Sequence, residues 1–471
     1  MATSAGQVRG VARDGIAGFL GIPYAAAPEG PLRFRPPAPA PGWDGVRDAT
    51  AFGSAPPQLA PGPGAPAAWR PGDGLDCLTV NVWTPQAGAA RLPVMVWIYG
   101  GLWKYGAASM PHYDGAALAG SGVVVVTFNY RVGFEGFGQL PGVEDNRGLR
   151  DQLAALEWVR ENIAGFGGDP DRVTVFGQSA GAAATALLAT APAAAGLFRR
   201  AIAQSIPAGA RTPDEAEAVT AAIAAAAEVP PTAEALAALP PEALLAVQDA
   251  PLRTMAGPTA FAPVIDGDLV TGPPWTAFRA GAGRGVDLVC GFTHEEYRGQ
   301  GPPAPPGVDV AAVAEAFGLD RAAAAAYRRS QPTLDDAELC TVMLSDAVVR
   351  MPTTWVAEAH AAAGGRTWLY DFAWRGPTLG AAHGIDVPLV FGTATTRPAA
   401  RFLGSPPPAD AAALSADLRA AWTSFAATGD PGWPRFHPDR PTTRIWDTPP
   451  TDAPYPLDAS RRIWQRHAAR S

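Results

Sequence analysis

Lysine is almost missing from this chain. Lys104 is the only one, so arginine carries nearly all of the positive charge, and the formal net charge is −8. No basic stripe runs along the sequence, which argues against a nucleic-acid partner, because phosphate backbones are met by clustered cations. Cysteine is almost as scarce: Cys77, Cys290 and Cys340 are far apart and odd in number. They make no disulfide framework and have no paired spacing that suits zinc. His112, His294, His437 and His467 form no visible metal cluster either. No apolar run approaches the roughly 20 residues of a membrane helix, so no membrane partner is expected. Residues Met1 to Gly6 lack the basic patch and apolar stretch of a signal peptide. These absences point to a soluble, cytoplasmic protein and leave its oligomeric state open.

What is present suits a large core. The chain has 471 residues, 48% hydrophobic and 17% charged, which excludes wholesale disorder. Length alone suggests about three domains at roughly 150 residues each. The pattern argues for one. Apolar, β-branched runs at Leu78–Trp83, Pro93–Tyr99, Val123–Asn129, Val173–Phe176, Ala201–Gln204, Val286–Gly291 and Trp368–Phe372 alternate with helical stretches such as Leu149–Ile163. Continuous apolar strands separated by helices predict a mixed, mostly parallel sheet covered on both faces. Residues 53–74, rich in Pro, Gly and Ala, read as a long surface loop. Two Ala-rich blocks, about 211–260 and 302–360, read as helical insertions packed over the sheet. Pro230-Pro231 and Pro240-Pro241 should end helices in the first, and the second follows the Pro302–Pro306 cluster. We take residues 1–471 as a single α/β domain.

The most informative residues are Gly177-Gln178-Ser179-Ala180-Gly181. A G-x-S-x-G match is weak alone. Here a strand, Val173–Phe176, leads into it, and a good helix, Ala180 to Ala191, leads out. A serine on that strand-to-helix turn has its hydroxyl lifted above the sheet edge, a nucleophile's position. The plainer alternative is a glycine-flanked serine that merely caps the helix.

At this point the residues resemble the type B carboxylesterases, the branch of the α/β-hydrolase fold that includes the cholinesterases. The resemblance begins with Phe19-Leu20-Gly21-Ile22-Pro23-Tyr24-Ala25 and Leu32-Arg33-Phe34, then Asp76-Cys77-Leu78-Thr79-Val80-Asn81-Val82-Trp83. It continues through Pro93 to Gly101, Asn129-Tyr130-Arg131-Val132-Gly133 and Asn162 to Pro170. Phe425 to Pro431 and Trp433-Pro434 extend it almost to the carboxyl end. It implies an α/β-hydrolase fold and a serine ester hydrolase that needs no cofactor or metal.

An alcohol is a poor nucleophile, so Ser179 needs a base in hydrogen-bond reach and an acid to orient that base. The resemblance puts His383, in the loop Gly380 to Gly392, where the family carries its catalytic histidine. His360, in the middle of the helical stretch Trp355–Ala363, reads as a surface or packing residue. The acid falls in Gly291-Phe292-Thr293-His294-Glu295-Glu296-Tyr297: the family's register favours Glu296, with Glu295 as the alternative and a solvated charge if not used. For the oxyanion, the resemblance implies the backbone amides of Gly101, Leu102 and Ala180.

The pattern also departs from the family. Leu102 stands where a third glycine is usual, so it either turns away or narrows the pocket against hindered esters. Gln178 replaces a glutamate and removes a negative charge on the alcohol side, so no preference for cationic choline esters is expected. Trp69, and Trp103 beside the oxyanion segment, are candidates for the substrate-binding wall. Cys77 matches a position that is disulfide-bonded in animal members, but no cysteine precedes it here. Arg131 and Asp151 resemble a structural ion pair, and Ser205 a buried serine supporting the site.

The predicted function is therefore hydrolysis of small-molecule carboxylic esters through an acyl-enzyme. Related carbamate, lactone or amide bonds would use the same machinery. A silent cholinesterase-like binding module is the rival of another class, and such modules usually lack the serine or the histidine, both present here.

Overall fold

The computed structural model describes residues 1–62, 65–253, 255, 259–301, 305 and 307–468. An 11-stranded sheet runs through it. In chain order its strands are β1 (Val11–Arg13), β2 (Ile16–Pro23), β3 (Thr79–Thr84), β4 (Leu92–Ile98), β5 (Val124–Phe128) and β6 (Gly168–Gln178). They are followed by β7 (Arg200–Gln204), β8 (Asp287–Thr293), β9 (Thr367–Phe372), β10 (Thr442–Trp446) and β11 (Thr451–Pro454). Their spatial order is β11-β10-β9-β8-β7-β6-β4-β5-β3-β2-β1. Every neighbouring pair from β10 to β5 is parallel, and the pairs outside that block are antiparallel. Gln7–Arg9 and Val46–Asp48 pair separately in a small parallel ladder.

All residues of β3, β5 and β9 are buried, as are nearly all of β4, β7 and β8. A strand buried along its whole length has both faces covered. That is why these segments are continuous runs of Val, Ile, Leu and aromatics rather than alternating ones. Trp97 on β4 lies against Phe176 on β6 and against Phe391, with centroids 4.8 and 5.0 Å apart. The seven expected strands are all present, with ends shifted by a few residues.

The helical stretch expected at Leu149–Ile163 is the helix Arg147–Asn162. Between β7 and β8 lie helices Pro213–Ala226, Ala233–Ala237 and Pro241–Val247. Pro240-Pro241 separates two of them, but as a start: Pro240 is the N-cap and Pro241 the first helical residue. Between β8 and β9 lie Val310–Ala316, Arg321–Ser330, Asp336–Ser345 and Met351–Ala362. Residues 302–304 and 306 of the proline cluster lie outside the described residues. Among the described residues of 53–74 there is no helix or strand.

The strand order reverses at β4, which has β5 on one side and β6 on the other. Ligands of open α/β sheets bind beyond the carboxyl ends of strands at such a switch point. The segments that leave β4 and β6 there are Gly100–Trp103 and Ser179.

Candidate active site

Ser179 directly follows β6 and serves as the N-cap of the helix Ala180–Thr190, with φ 59° and ψ −126°. A residue with a Cβ pays about 1–3 kcal/mol for such torsions and keeps them only when its surroundings impose them. Two backbone bonds do so: Ser179 N–H donates to Gln204 O on β7 at 2.9 Å, and Ala183 N–H donates to Ser179 O at 3.0 Å. The flanking glycines allow the close crossing. A Cβ on Gly181 would lie 2.0 Å from Ile98 O, and one on Gly177 2.4 Å from Gly181 O.

The segment after β4 abuts this bend. A Cβ on Gly100 would lie 2.8 Å from the Cβ of Ser179. The turn is closed by Lys104 N–H and Tyr105 N–H, which donate to Gly101 O at 3.0 and 2.8 Å. Among the described residues, the amides of Gly101, Leu102 and Ala180 have no hydrogen-bond acceptor. Ala180 lies in the first turn of its helix, where N–H groups lack intrahelical partners and the dipole favours negative charge. Leu102 and Trp103 adopt φ of 58° and 60°. Leu102 thus takes up a backbone conformation that glycine enters freely, and the residue is 37% exposed.

Glu296 and His383 meet although 87 residues apart: Nδ1 of His383 hydrogen-bonds Oε2 of Glu296. The other oxygen of Glu296 accepts from Thr293 N–H at 2.8 Å, and the residue is 1% exposed. Burial disfavours a charged His383 ring, but the Glu296 carboxylate outweighs it and holds the pKa above the usual histidine value. Glu295 points elsewhere. It pairs with Arg298 at 2.8 Å and Arg375 at 3.1 Å, and accepts from Ala381 N–H at 2.9 Å. It is therefore a tether between the two loops rather than the solvated charge expected of an unused glutamate. Glu295 N–H donating to Ala381 O at 2.9 Å completes that link.

The histidine's other nitrogen holds a surprise. Nε2 of His383 lies 3.0 Å from Nε2 of Gln178, not in a hydrogen bond to Ser179. Ser179 Oγ has no hydrogen-bond partner among the described residues. Catalytic hydrogen bonds in ligand-free enzymes are often long and tighten only with substrate, and the competing group here is Ser179's own chain neighbour.

Sequence reasoning singled out neither Gln204 nor Asp386. Asp386 is buried three residues beyond His383, and Gln204 Nε2 donates to its Oδ2 at 2.7 Å. Burial pushes its carboxyl up to about 6, against the pull of the Gln204 bond. The only signal for either was proximity to a motif. Ser205 is fully buried at φ 64°, with N–H donating to Gly291 O at 2.7 Å. Arg131 and Asp151 form a buried pair at 2.6 Å. His360 is a packing residue whose Nδ1 contacts Thr367 Oγ1 at 2.8 Å.

The two tryptophans are not brought to this cluster by any ring contact or hydrogen bond among the described residues. Trp69 packs with Ala55, Ala107 and Leu245, and its indole N–H donates to Gly74 O at 2.9 Å. Trp103 is edge-on to Phe137 at 5.0 Å. Among the described residues no group of His, Cys, Asp and Glu could hold a metal ion.

The arrangement sets a strained serine against the Gly100 segment, and its chain neighbour Gln178 against an imidazole whose far nitrogen is held by a buried carboxylate. Such a set suits nucleophilic attack on a carbonyl with stabilisation of the oxyanion.

Comparison with known proteins gives the family and the fold. The sequence profile of the Carboxylesterase family matches residues 1–303 and 319–456. The chain is 36% identical over 476 residues to a para-nitrobenzyl esterase of Bacillus subtilis (strain 168), covering 95% of this chain and 94% of that protein. It is 37% identical to a fumonisin B1 esterase of Sphingopyxis macrogoltabida, covering 92% of this chain and 84% of that protein. Among solved structures, a carboxylesterase of Geobacillus stearothermophilus superposes with a TM-score of 0.86 at 34% identity, over 98% of this chain and 99% of that one. The fold is that of the α/β hydrolases.

Proposed function

The chain belongs to the carboxylesterase family and is a carboxylic ester hydrolase; on that premise we propose a serine esterase with Ser179 as nucleophile, His383 as base and then acid, and Glu296 as the orienting carboxylate. In this scheme His383 Nε2 takes the proton of Ser179 as Oγ attacks the ester carbonyl. The oxyanion rests on the amides of Gly101, Leu102 and Ala180, each worth about 2.7–4 kcal/mol by precedent. Collapse expels the alcohol, protonated by His383, and leaves an acyl-enzyme. Water, deprotonated by the same nitrogen, then releases the acid and restores Ser179. The scheme calls for no metal or cofactor.

The observation that carries it is the Glu296–His383 bond, with the same ring in contact with Gln178, the residue before the strained serine. A carboxylate on Nδ1 fixes the tautomer with a bare Nε2, which is what a general base needs. Around this centre we assign Gln178 to the alcohol side, where a neutral amide gives no preference for cationic alcohols. Leu102 limits bulk next to the carbonyl; Trp69 and Trp103, candidates for the substrate wall, have no contact with the cluster among the described residues that supports that role. We take the whole chain as one domain, with the helices between β7 and β8 and between β8 and β9 as insertions. The three unpaired cysteines support a cytoplasmic setting. No helix among the described residues is long and apolar enough to cross a membrane.

The test is Ser179→Ala with a chromogenic ester and a fluorophosphonate probe. Turnover should fall by about six decades, and the adduct on Ser179 seen by mass spectrometry in the parent protein should vanish. A parent protein that takes up no probe would instead favour a silent binding module.

A further inference from the structure

Gln178 is the last residue of β6, and its amide bridges two parts of the site. Its Nε2 sits 3.0 Å from Nε2 of His383. Its Oε1 faces the oxyanion segment, where a Cβ on Gly100 would be 3.2 Å away. Gly384, at φ 85°, borders the amide, and a Cβ there would lie 3.6 Å from its nitrogen, an ordinary contact. Because the Glu296 carboxylate holds Nδ1–H, Nε2 of the neutral ring is bare, and the Gln178 N–H donates to it. Ser179 Oγ is left without a partner among the described residues.

We propose that Gln178 is a positioning residue for the esterase reaction inferred above: it caps Nε2 of His383 in the free enzyme and yields that nitrogen to Ser179 when substrate arrives. An amide suits both protonation states. Its N–H donates to the neutral ring, and turned over, its carbonyl accepts from the imidazolium. A carboxylate at this position only accepts, so it favours the imidazolium. A methionine does neither. The other charged groups facing His383 are Glu296, Asp386 and Arg401. They are common to all variants and cancel in the comparison.

The experiment compares wild type with Gln178→Glu and Gln178→Met. It reads the pH profile of kcat/KM on a neutral p-nitrophenyl ester, the rate of fluorophosphonate labelling, and folding by circular dichroism. Gln178→Glu should raise the acid-limb midpoint by about one pH unit or more, because a like-for-like carboxylate contacts the ring directly. Gln178→Met frees Nε2, so labelling of Ser179 should become about two- to tenfold faster, the equivalent of one neutral hydrogen bond. An unmoved acid limb in folded Gln178→Glu overturns the proposal, as does an unchanged labelling rate in Gln178→Met. If only one variant folds, its readout decides. A wild type without esterase activity or labelling sinks the parent reading instead, whereas an active wild type with inert substitutions sinks only the role of Gln178.

Discussion

Glu296→Gln is the substitution that weighs most heavily on the proposed mechanism. The carboxylate satisfies two donors, His383 Nδ1–H and Thr293 N–H, and Glu296 is only 1% exposed. Glutamine has a single acceptor oxygen. If that oxygen keeps Thr293, the amide NH2 faces Nδ1 and drives the ring into the tautomer protonated at Nε2. That nitrogen then cannot take the proton of Ser179, and the imidazolium formed later has no counter-charge. The equivalent neutralisation in a serine protease costs about 10⁴ in kcat, or about 5.5 kcal/mol. Glu295→Gln is the matched control. Its arginine partners are more than half exposed, so each pair is worth about 0–1 kcal/mol, and the amide oxygen can still accept from Ala381. Its kcat should stay within about threefold of wild type. Initial rates at saturating p-nitrophenyl ester, with thermal melts to confirm folding, decide between them. Equal losses, or a larger loss for Glu295→Gln, would refute the assignment of the acid.

The ordinary pH profile of the enzyme carries a related expectation. The Glu296 carboxylate holds the His383 pKa up, so kcat/KM should rise with pH through an acid limb centred above 6.5; a limb below that value counts against the pair. For Asp386, the folded-state pKa of about 6 exceeds the ordinary 3.8, so folding favours the protonated form and stability falls as pH rises through that window. Relative to wild type, Asp386→Asn should therefore gain about 2 kcal/mol between pH 4 and 7 in urea titrations, and a constant difference would contradict the burial argument. Leu102→Gly removes a Cβ from a position with φ 58°, so the fold should tolerate it, and hydrolysis of tertiary-alcohol esters should rise relative to acetates of primary alcohols. Unchanged discrimination would mean that Leu102 turns away from substrate.

Much of this was legible in the sequence, for identifiable reasons. Strands buried on both faces announce themselves as unbroken apolar runs, and Pro93–Tyr99 and Val123–Asn129 became β4 and β5 with ends shifted by a residue or so. The strands at the edges did not. Val11–Arg13 is exposed along its length, and Ile16–Pro23 is diluted by Gly18, Gly21 and a terminal proline, so neither carries a usable period. Thr451–Pro454 is short, polar and mostly exposed. At the site, Ser179 was readable because a local motif sits between a strand and a helix. The Glu296–His383 contact joins loops 87 residues apart, and only a family resemblance linked them beforehand. The contact between Gln178 and His383 had no signal at all, because a neutral amide next to a motif serine looks like any polar residue. The same holds for Lys104, whose ammonium reaches Asp249 Oδ2 at 2.6 Å across 145 residues.

What brings these scattered residues together is the register of the parallel strands. Ile98 is paired with Gly177, Gln178 with Gln204, Gln204 with Gly291, and Gly291 with Tyr370. The four segments that leave β4, β6, β8 and β9 therefore emerge at one level of the sheet; Gly101, Ser179 and Glu296 follow closely on Ile98, Gln178 and Thr293, whereas His383 stands well beyond Phe372 on a loop tied down by the Glu295–Ala381 bonds. A slip of one residue moves a strand by about 3.3 Å, more than the whole length of any hydrogen bond in the cluster. The site tolerates no such slip, so the placing of Gly101, Ser179 and Glu296 is set in the buried strands, and that of His383 in the strands together with the Glu295–Ala381 link. Substitutions that loosen the Trp97–Phe176 contact between β4 and β6, just before the bend at Ser179, should lower kcat before they change KM. They displace the amides of Gly101 and Leu102 from the oxyanion while leaving the walls that contact the rest of the substrate in place.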